Sequence, residues 1–251
     1  FLISLTIIII ANFYIAYMIG LFSLLYFLTR FFSVYTSQEF KLFRQKLSLY
    51  FRSAAFAVGL SAIIWLPTFF ALTYTQGSPD FPIKWSINFK LFDLAAKLQL
   101  GSYDTLKLSG LPNIYCGLLP LLLLPLFFWD GRVKYREKIV YSASLVFLIA
   151  SFLFSNLDLA WHAFDEPDWF LYRYSFVFSF LIITSAYREF NRIQAVDTRK
   201  LSKVFFVWLV ILILLQKFHY TYLSDKLLII SMFLFALYSL IIYLLVKAPD
   251  K

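Results

Sequence analysis

The side chains that could do chemistry are concentrated in one short stretch of the chain, residues 156–170. The stretch contains no Lys or Arg, and in and around it lie these acidic, imidazole and aromatic residues: Asp158, Trp161, His162, Asp165, Glu166, Asp168, Trp169 and Tyr172. Acids beside an imidazole can exchange protons with a substrate. Solvated surface acids between interfacial aromatic residues would give the same pattern. The stretch is therefore a candidate site, and the ordinary explanation stays open.

Arg173 follows this acidic stretch directly, between two tyrosines. Its planar guanidinium suits a phosphate better than a lysine ammonium does. The alternative is an arginine that only extends toward lipid head groups. An isolated arginine beside acids needs a partner, and either Asp168 or a lipid phosphate would serve.

Other common kinds of site have no signal in the sequence. The seven glycines form no phosphate-binding loop. The two histidines, His162 and His219, are far apart and lack the spacing of zinc ligands. Cys116, the single cysteine, lies in an apolar run and fits a packed core better than a nucleophile. We therefore expect no metal ligands and no cofactor, and a need for a divalent ion stays open.

The composition of the chain indicates that the segments positioning these residues lie in a membrane. Hydrophobic residues make up 61% of the 251 and charged residues only 15%, with a mean hydropathy of +0.76. Soluble domains average about 45–50% apolar and about 25% charged residues. The net charge of +9 comes from Lys and Arg clustered between apolar runs, which is typical of membrane topology and not of nucleic-acid binding.

Seven apolar runs approach or reach the roughly 20 residues that cross a bilayer. They are residues 1–29, 49–72, 112–129, 139–155, 171–187, 203–218 and 226–246. The sequence thus predicts an all-α fold, a polytopic transmembrane bundle of about seven spans in one domain over residues 1–248. The first run is interrupted by Asn12 and is either one tilted helix or two shorter pieces.

Charge predicts the orientation of the bundle. The connections after the first, third and fifth runs are rich in Lys and Arg, whereas residues 156–170 have none. Positively charged loops stay in the cytoplasm. We therefore expect a multi-pass protein of the bacterial cell membrane with the loops 73–111 and 156–170 outside.

The long outer loop carries a helical pattern of its own. From Ser86 to Gly101, apolar residues recur at helical spacing, while Lys90, Asp93 and Lys97 share the opposite face. This predicts an amphipathic helix in the outer interface. Further on, Pro112 is placed at a helix start, and Pro120 and Pro125 should bend the third span.

Several short motifs resemble, in order, those of the bacterial YfhO family of membrane proteins. They are NFYIAYM at 12–18, FSLLYF at 22–27, LPT at 66–68, LPNIYCG at 111–117, NLD at 156–158, WHAF at 161–164, PDWF at 167–170 and RYSF at 173–176. The resemblance covers about residues 1–190. Beyond Arg192 the chain is generically apolar.

The resemblance implies an integral membrane glycosyltransferase of the GT-C type. Such enzymes move a sugar from a polyprenyl-phosphate carrier to an extracytoplasmic acceptor, here a Gram-positive cell-wall polymer such as teichoic or lipoteichoic acid. It also implies that the catalytic acid lies in a first outer loop before Phe1. The chain is accordingly expected to be an internal fragment whose N-terminal span or spans and first outer loop are missing.

The resemblance carries over to particular residues. Arg173 would contact the carrier or acceptor phosphate, and His162 would bind the same phosphate or assist proton transfer. Asp158 could orient His162, because residues i and i+4 meet on a helix. Asn113 and Tyr115 would line the facing wall of a groove. At Ala163 the chain departs from the glycine of the family.

Asn12 is the last candidate substrate ligand, since it is the deepest strongly polar side chain in the first run. A hydrogen bond between packed helices is the more common role of such a residue.

Two other functions stay open. A lipid or polymer flippase would need a polar path, and the span centres lack ionisable residues. A non-catalytic scaffold for cell-envelope synthesis would need only exposed contact surfaces.

Overall fold

The computed structural model describes residues 1–35, 39–76, 85–103, 110–167, 169–220 and 222–248. In these ranges the chain is almost wholly helical, and one antiparallel bridge joins Ile87 to Phe154. The helices are α1 Leu2–Ala11, α2 Phe13–Val34, α3 Phe40–Leu60, α4 Ala62–Gln76, α5 Asp93–Lys97, α6 Leu118–Trp129, α7 Tyr135–Leu153, α8 Ser155–Trp161, α9 Ser175–Phe190, α10 Thr198–Phe218 and α11 Asp225–Lys247, with a 3-10 turn at Ile193–Ala195. The predicted all-α fold is confirmed.

The chain divides into two compact units, each described by itself. Unit 1 comprises Phe1–Asn88 and Ile139–Pro167, and unit 2 comprises Phe89–Lys138 and Asp168–Lys251. That residues 1–248 form one transmembrane domain stays a prediction.

In unit 1, the first apolar run is two helices, because the backbone leaves the helix at Asn12. This residue is extended, with φ −161° and ψ 98°, and its side-chain oxygen accepts a hydrogen bond from the Ile15 amide at 3.0 Å. Helix α1, with ten residues, is about 15 Å long, half the thickness of a hydrocarbon core. Helix α2 has 22 residues and is long enough to cross.

The second predicted span, residues 49–72, is bent in the structure. Helices α3 and α4 meet at Ser61, and the pair bends by 71°. The Ser61 hydroxyl donates to the carbonyl oxygens of Ala57 at 2.8 Å and Val58 at 3.1 Å, and the Trp65 indole also donates to Val58, at 2.9 Å. Side chains thus satisfy backbone groups that the break would leave without partners in lipid.

Polar contacts also join α2 to α7 inside unit 1. The hydroxyls of Thr29 and Ser144 lie 2.6 Å apart, and the Arg30 guanidinium donates to the Tyr141 hydroxyl at 3.5 Å. Small hydroxyl residues let helices approach closely and hydrogen-bond within a membrane. Helix α7 covers most of the predicted fourth span.

The core of unit 2 is built around α6, α10 and α11. The Trp208 ring stacks on Phe235 with centroids 5.3 Å apart, and both are buried. The Trp208 indole donates to the Leu121 carbonyl at 3.0 Å. This carbonyl is four residues before Pro125, which has no N–H to give it. Trp208 therefore replaces the helix hydrogen bond that Pro125 removes.

The predicted helix start at Pro112 is wrong. Residues 110–117 are not helical, and α6 begins at Leu118, after Gly117 with its positive φ of 91°. Gly117 adopts a backbone conformation that other residues avoid, so the helix cannot extend back to Pro112.

Among the described residues, α2, α10 and α11 are long and apolar enough to cross a membrane, and the bent pair of α3 and Ala62–Ala71 is a fourth candidate. Helices α1 and α6 are apolar but shorter. The chain is thus a multi-pass membrane protein in contact with the lipid bilayer. Seven spans are not confirmed, and the orientation stays a prediction.

The predicted interfacial helix is much shorter than expected. Only α5, five residues long, is helical within residues 85–103. Lys97, expected on the polar face, is fully buried: its ammonium donates to the Ser102 carbonyl at 2.5 Å and lies 5.0 Å from the centre of the Tyr222 ring. The spacing of Lys97 in the sequence is the same whether its ammonium is solvated or contacts a buried carbonyl and an aromatic ring. The prediction that Lys97 lies on the polar face was therefore wrong.

An ionic cluster closes one end of unit 2. Asp130 accepts a hydrogen bond from Arg132 at 2.8 Å and its other oxygen lies 3.6 Å from Arg192. Glu189, with a side chain only 2% exposed, lies 4.0 Å from Arg132. Burial raises the pKa of Glu189, and the charge of Asp130 raises it further. Burial would also raise the pKa of Asp130, but hydrogen bonds and charge from Arg132, with the charge of Arg192, lower it overall.

The first prediction concerns the helix cap at Asn12. Asn12→Ala should lower the free energy of unfolding by about 1 kcal/mol, because the Ile15 amide loses its acceptor. Asn12→Ser keeps an uncharged acceptor that caps helices about as well, and should retain most of the stability. The measurement is reversible unfolding of the purified protein in detergent. Equal losses in both variants would contradict the capping role.

The second prediction concerns Glu189. The pKa of Glu189 is raised in the folded protein, so folding favours its protonated form. This contribution to stability is fully present below the pKa of the unfolded state and is lost as the pH rises through the pKa of the folded state. Glu189→Gln cannot ionise, and should raise the melting temperature at about pH 8 but not at about pH 4. Glu166→Gln, a change at an exposed acid, is the control. A gain independent of pH would contradict this explanation.

Candidate functional site

Arg173 lies in a loop of unit 2 whose backbone is strained at two residues just before it. Phe170 has φ 54° and Tyr172 has φ 56°, in the left-handed region that costs side-chain-bearing residues about 1–2 kcal/mol each. Buried contacts hold the loop in place: Tyr172 packs edge-on against Phe89 at 5.8 Å, and the Ser175 hydroxyl donates to the Tyr172 carbonyl at 2.5 Å. Such strain often accompanies functional sites.

The backbone of this loop orients the Arg173 guanidinium. Its Nη2 donates to the Trp169 carbonyl at 2.8 Å, and its Nε lies 3.3 Å from the carbonyls of both Trp169 and Phe170. The loop therefore fixes one edge of the fork. A fixed guanidinium loses little conformational entropy when it binds an anion.

Arg173 lines a cleft of about 690 Å³ within unit 2. Its volume falls in the range of about 300–1,000 Å³ that is common for small-molecule sites. The described lining residues are Tyr103, Asn113, Trp169, Phe170, Leu171, Tyr172, Arg173, Ser175 and Phe176. The structure thus brings two predicted substrate ligands, Arg173 and Asn113, to one cleft.

Tyr115 is not among the residues that line this cleft. It is 43% exposed and follows Ile114, whose carbonyl accepts a hydrogen bond from Ser179 at 3.2 Å. Tyr103 and Phe176 do line the cleft and were not predicted. Phe176 belongs to the RYSF motif, which could have indicated it, whereas nothing in the sequence pattern distinguishes Tyr103 from other surface aromatics.

His162 and Asp158 meet inside unit 1, at the end of α8. The imidazole Nδ1 lies 3.1 Å from the Asp158 carbonyl and 3.8 Å from its carboxylate. The helix spacing therefore produces the expected pairing. The His162 side chain is fully buried and packs near Tyr14, with ring centroids 6.1 Å apart. The catalytic role of these two residues stays a prediction.

The residues after His162 explain the glycine that the family resemblance places at position 163. Ala163 has φ 57° and Phe164 has φ 63°. Glycine adopts this region without a steric penalty, whereas alanine pays for its Cβ. Alanine in place of glycine at position 163 raises the conformational free energy of the turn. The backbone geometry that positions His162 is unchanged.

Asn12 acts structurally, as the cap of α2. A groove of about 430 Å³ adjoins this break in unit 1, and Asn12 is not among its lining residues, which are Leu5, Ile9, Phe13, Ala16, Tyr17, Gly20, Leu21, Leu24, Tyr50, Phe51, Ala54, Val58 and Trp65. The lining is nearly all apolar, so the groove suits a hydrocarbon chain.

The residues that the structure describes hold no group of three His, Cys, Asp or Glu side chains placed to bind a metal ion.

A third prediction concerns the turn at Ala163. Ala163→Gly should raise the free energy of unfolding by up to about 1 kcal/mol, because it removes the steric penalty of the left-handed conformation. The greater entropy of glycine in the unfolded chain cancels only part of this gain. Ala160→Gly, in the last turn of α8, is the control and should lower the free energy of unfolding by about 0.5 kcal/mol. Thermal unfolding in detergent measures both. Destabilisation by Ala163→Gly would contradict the conformation described.

Comparison with known proteins identifies the chain at the level of its family. No curated protein and no solved structure gives a significant match. The profile of one family, described as "Bacterial membrane protein YfhO", matches residues 1–251. This match covers the whole chain and includes the motifs that surround the Arg173 cleft. The chain belongs to the YfhO family of bacterial membrane proteins.

Proposed function

We propose that this protein takes part in glycosyl transfer at the outer face of the cell membrane. In this proposal a GT-C type enzyme moves a sugar from a polyprenyl-phosphate carrier to an extracytoplasmic cell-wall polymer such as lipoteichoic acid. Arg173 binds the phosphate of the carrier or acceptor, and Asn113 binds a polar group beside it.

The observation that carries the proposal is the Arg173 cleft. A guanidinium held by two backbone carbonyls faces a cleft that also contains the Asn113 amide. Displacement at the anomeric carbon leaves a negatively charged phosphate, which a fixed cation stabilises more in the transition state than in the ground state. A preorganised arginine is suited to this task.

Aromatic side chains support a sugar as the transferred group. Trp169, Phe176 and Tyr103 line the same cleft, and each is exposed by 42–63%. Their apolar faces can pack against the C–H face of a sugar ring while Asn113 hydrogen-bonds its hydroxyls.

The apolar groove of unit 1 supports a lipid-linked substrate. It is lined by residues of α1 to α4 and is open along its side. A polyprenyl chain is wholly hydrocarbon, so its tail requires no polar partner in such a groove.

The remaining step is removal of the acceptor proton. In the proposed mechanism His162 accepts or relays this proton, and Asp158 holds its imidazole in the productive tautomer. His162 is buried in the structure described, so substrate binding would have to expose it.

The fourth prediction tests Arg173. In cells that depend on this protein, Arg173→Ala should reduce glycosylation of the wall polymer by at least about tenfold, because one fixed phosphate-stabilising cation is lost. Arg199→Ala, an exposed arginine outside the cleft, is the matched control and should retain activity. Polymer glycosylation is measured by mass spectrometry of the extracted polymer.

A structural effect is separated from loss of binding by two further measurements. Asn113→Ala should also lower glycosylation, although this change leaves the Trp169 and Phe170 carbonyls bonded to Arg173. Membrane abundance and melting temperature of each variant should match the wild type. Normal glycosylation in a stable Arg173→Ala protein would defeat the proposal, and lipid scrambling by the purified protein in liposomes would favour a flippase.

A further inference from the structure

The ionic cluster of unit 2 borders a second, smaller cleft of about 270 Å³. It lies between the loop after α6, the 3-10 turn and the last turns of α11. Its described lining residues are Arg132, Asn191, Arg192, Ile193, Gln194, Ala195 and Leu245. Two arginines and two amides therefore share a cleft with two branched apolar side chains.

One carboxylate holds both guanidinium groups in position. Asp130 Oδ1 accepts from Arg132 at 2.8 Å, and Asp130 Oδ2 lies 3.6 Å from Arg192. The Asp130 side chain is 6% exposed, whereas those of Arg132 and Arg192 are 42% and 45% exposed. Each guanidinium carries five N–H donors, so Asp130, together with Glu189 at 4.0 Å from Arg132, leaves donors on both arginines for a further acceptor.

The charged side chains that line the cleft itself, Arg132 and Arg192, are both positive. Lys200 and Asp197 lie in the adjoining pocket with Asp130 and Glu189, and Lys200 donates to the Trp129 carbonyl at 2.9 Å. The acids that act on Arg132 are Asp130 and Glu189. Burial raises the pKa of Glu189, which weakens its ability to neutralise the arginines. An anion is therefore favoured at the exposed side of the pair.

The cleft lies near the C-terminal end of α11, where a membrane-crossing helix would meet the head groups. Leu245 lies in the last turns of α11, a helix long enough to cross a membrane. The loops on this side are the ones that positive charge predicts to be cytoplasmic. Anionic lipids attract arginines at that surface by about 1 kcal/mol each.

We propose that this cleft binds the phosphodiester head group of an anionic phospholipid. Arg132 and Arg192 hold the phosphate oxygens, Asn191 and Gln194 reach the glycerol oxygens, and Ile193 and Leu245 contact the start of an acyl chain. A lipid fits better than a free phosphate, because the cleft joins cations to an apolar wall at the end of a spanning helix.

The test uses the whole protein in nanodiscs of phosphatidylcholine with a minority of phosphatidylglycerol. Native mass spectrometry counts the phosphatidylglycerol molecules that remain bound. Arg192→Gln should lower retention about fivefold, the loss of one cation's contribution. Arg199→Gln removes an exposed arginine that does not line the cleft and should leave retention unchanged. Equal retention in the two variants would overturn the proposal.

A second pair of variants avoids the ion pairs that stabilise the fold. Gln194 is exposed and lines the cleft, and the described ion pairs do not include it. Gln194→Glu should lower retention about fivefold by repelling the phosphate, and Gln194→Lys should preserve or increase it. The same retention in both would overturn the proposal even if Arg192→Gln unfolded the protein.

Competition with inorganic phosphate tests whether the cleft binds a lipid head group or a free phosphate. Added at millimolar concentration, it should not displace phosphatidylglycerol if the apolar wall contributes to binding. Complete displacement by phosphate would overturn the assignment to a lipid.

Discussion

The constraint on which the structure depends is that backbone groups inside hydrocarbon need partners within the protein. Where helices break, side chains supply those partners. Asn12 accepts from the Ile15 amide, the Ser61 hydroxyl donates to preceding carbonyls, and Trp208 donates to the Leu121 carbonyl. These contacts make possible the breaks at α1–α2 and α3–α4, and the hydrogen bond that Pro125 removes from α6, without leaving backbone groups unpaired. Departures from straight spanning helices, including those near the apolar groove, follow from them.

Sequence predicted the helical class and the positions of the apolar runs well, because long runs without charge have one stable solution in a membrane. The number of spans stays a prediction. Hydropathy records how apolar a segment is but not whether its helix continues, so it left residues 1–29 open between one helix and two and did not indicate the bend within residues 49–72. Asn12 marked the first break, and Ser61 gave no comparable signal. Lys97 shows the same limit, since burial of a lysine depends on a carbonyl and a ring distant in sequence.

The candidate site was predictable where it rests on local spacing. The contact of Asp158 with His162 follows from one helical turn, and Arg173 was indicated by its isolation beside acids. The left-handed residues Phe170 and Tyr172 were not predictable, because neither residue type favours that conformation. Packing of Tyr172 against Phe89 and a local hydrogen bond from the Ser175 hydroxyl to the Tyr172 carbonyl stabilise this conformation. Likewise, Asp130 joins Arg132 and Arg192 only once α9 and the 3-10 turn are in place.

The bond from Trp208 to the Leu121 carbonyl makes two distant positions depend on each other. A residue with an amide hydrogen at position 125 would restore the helical bond, and the indole at 208 would become redundant. A proline at 125 beside an aliphatic residue at 208 would leave a buried carbonyl without a partner. The effects of substitutions at 125 and 208 on stability are therefore not additive, because an aliphatic residue at 208 is costly only while proline occupies position 125.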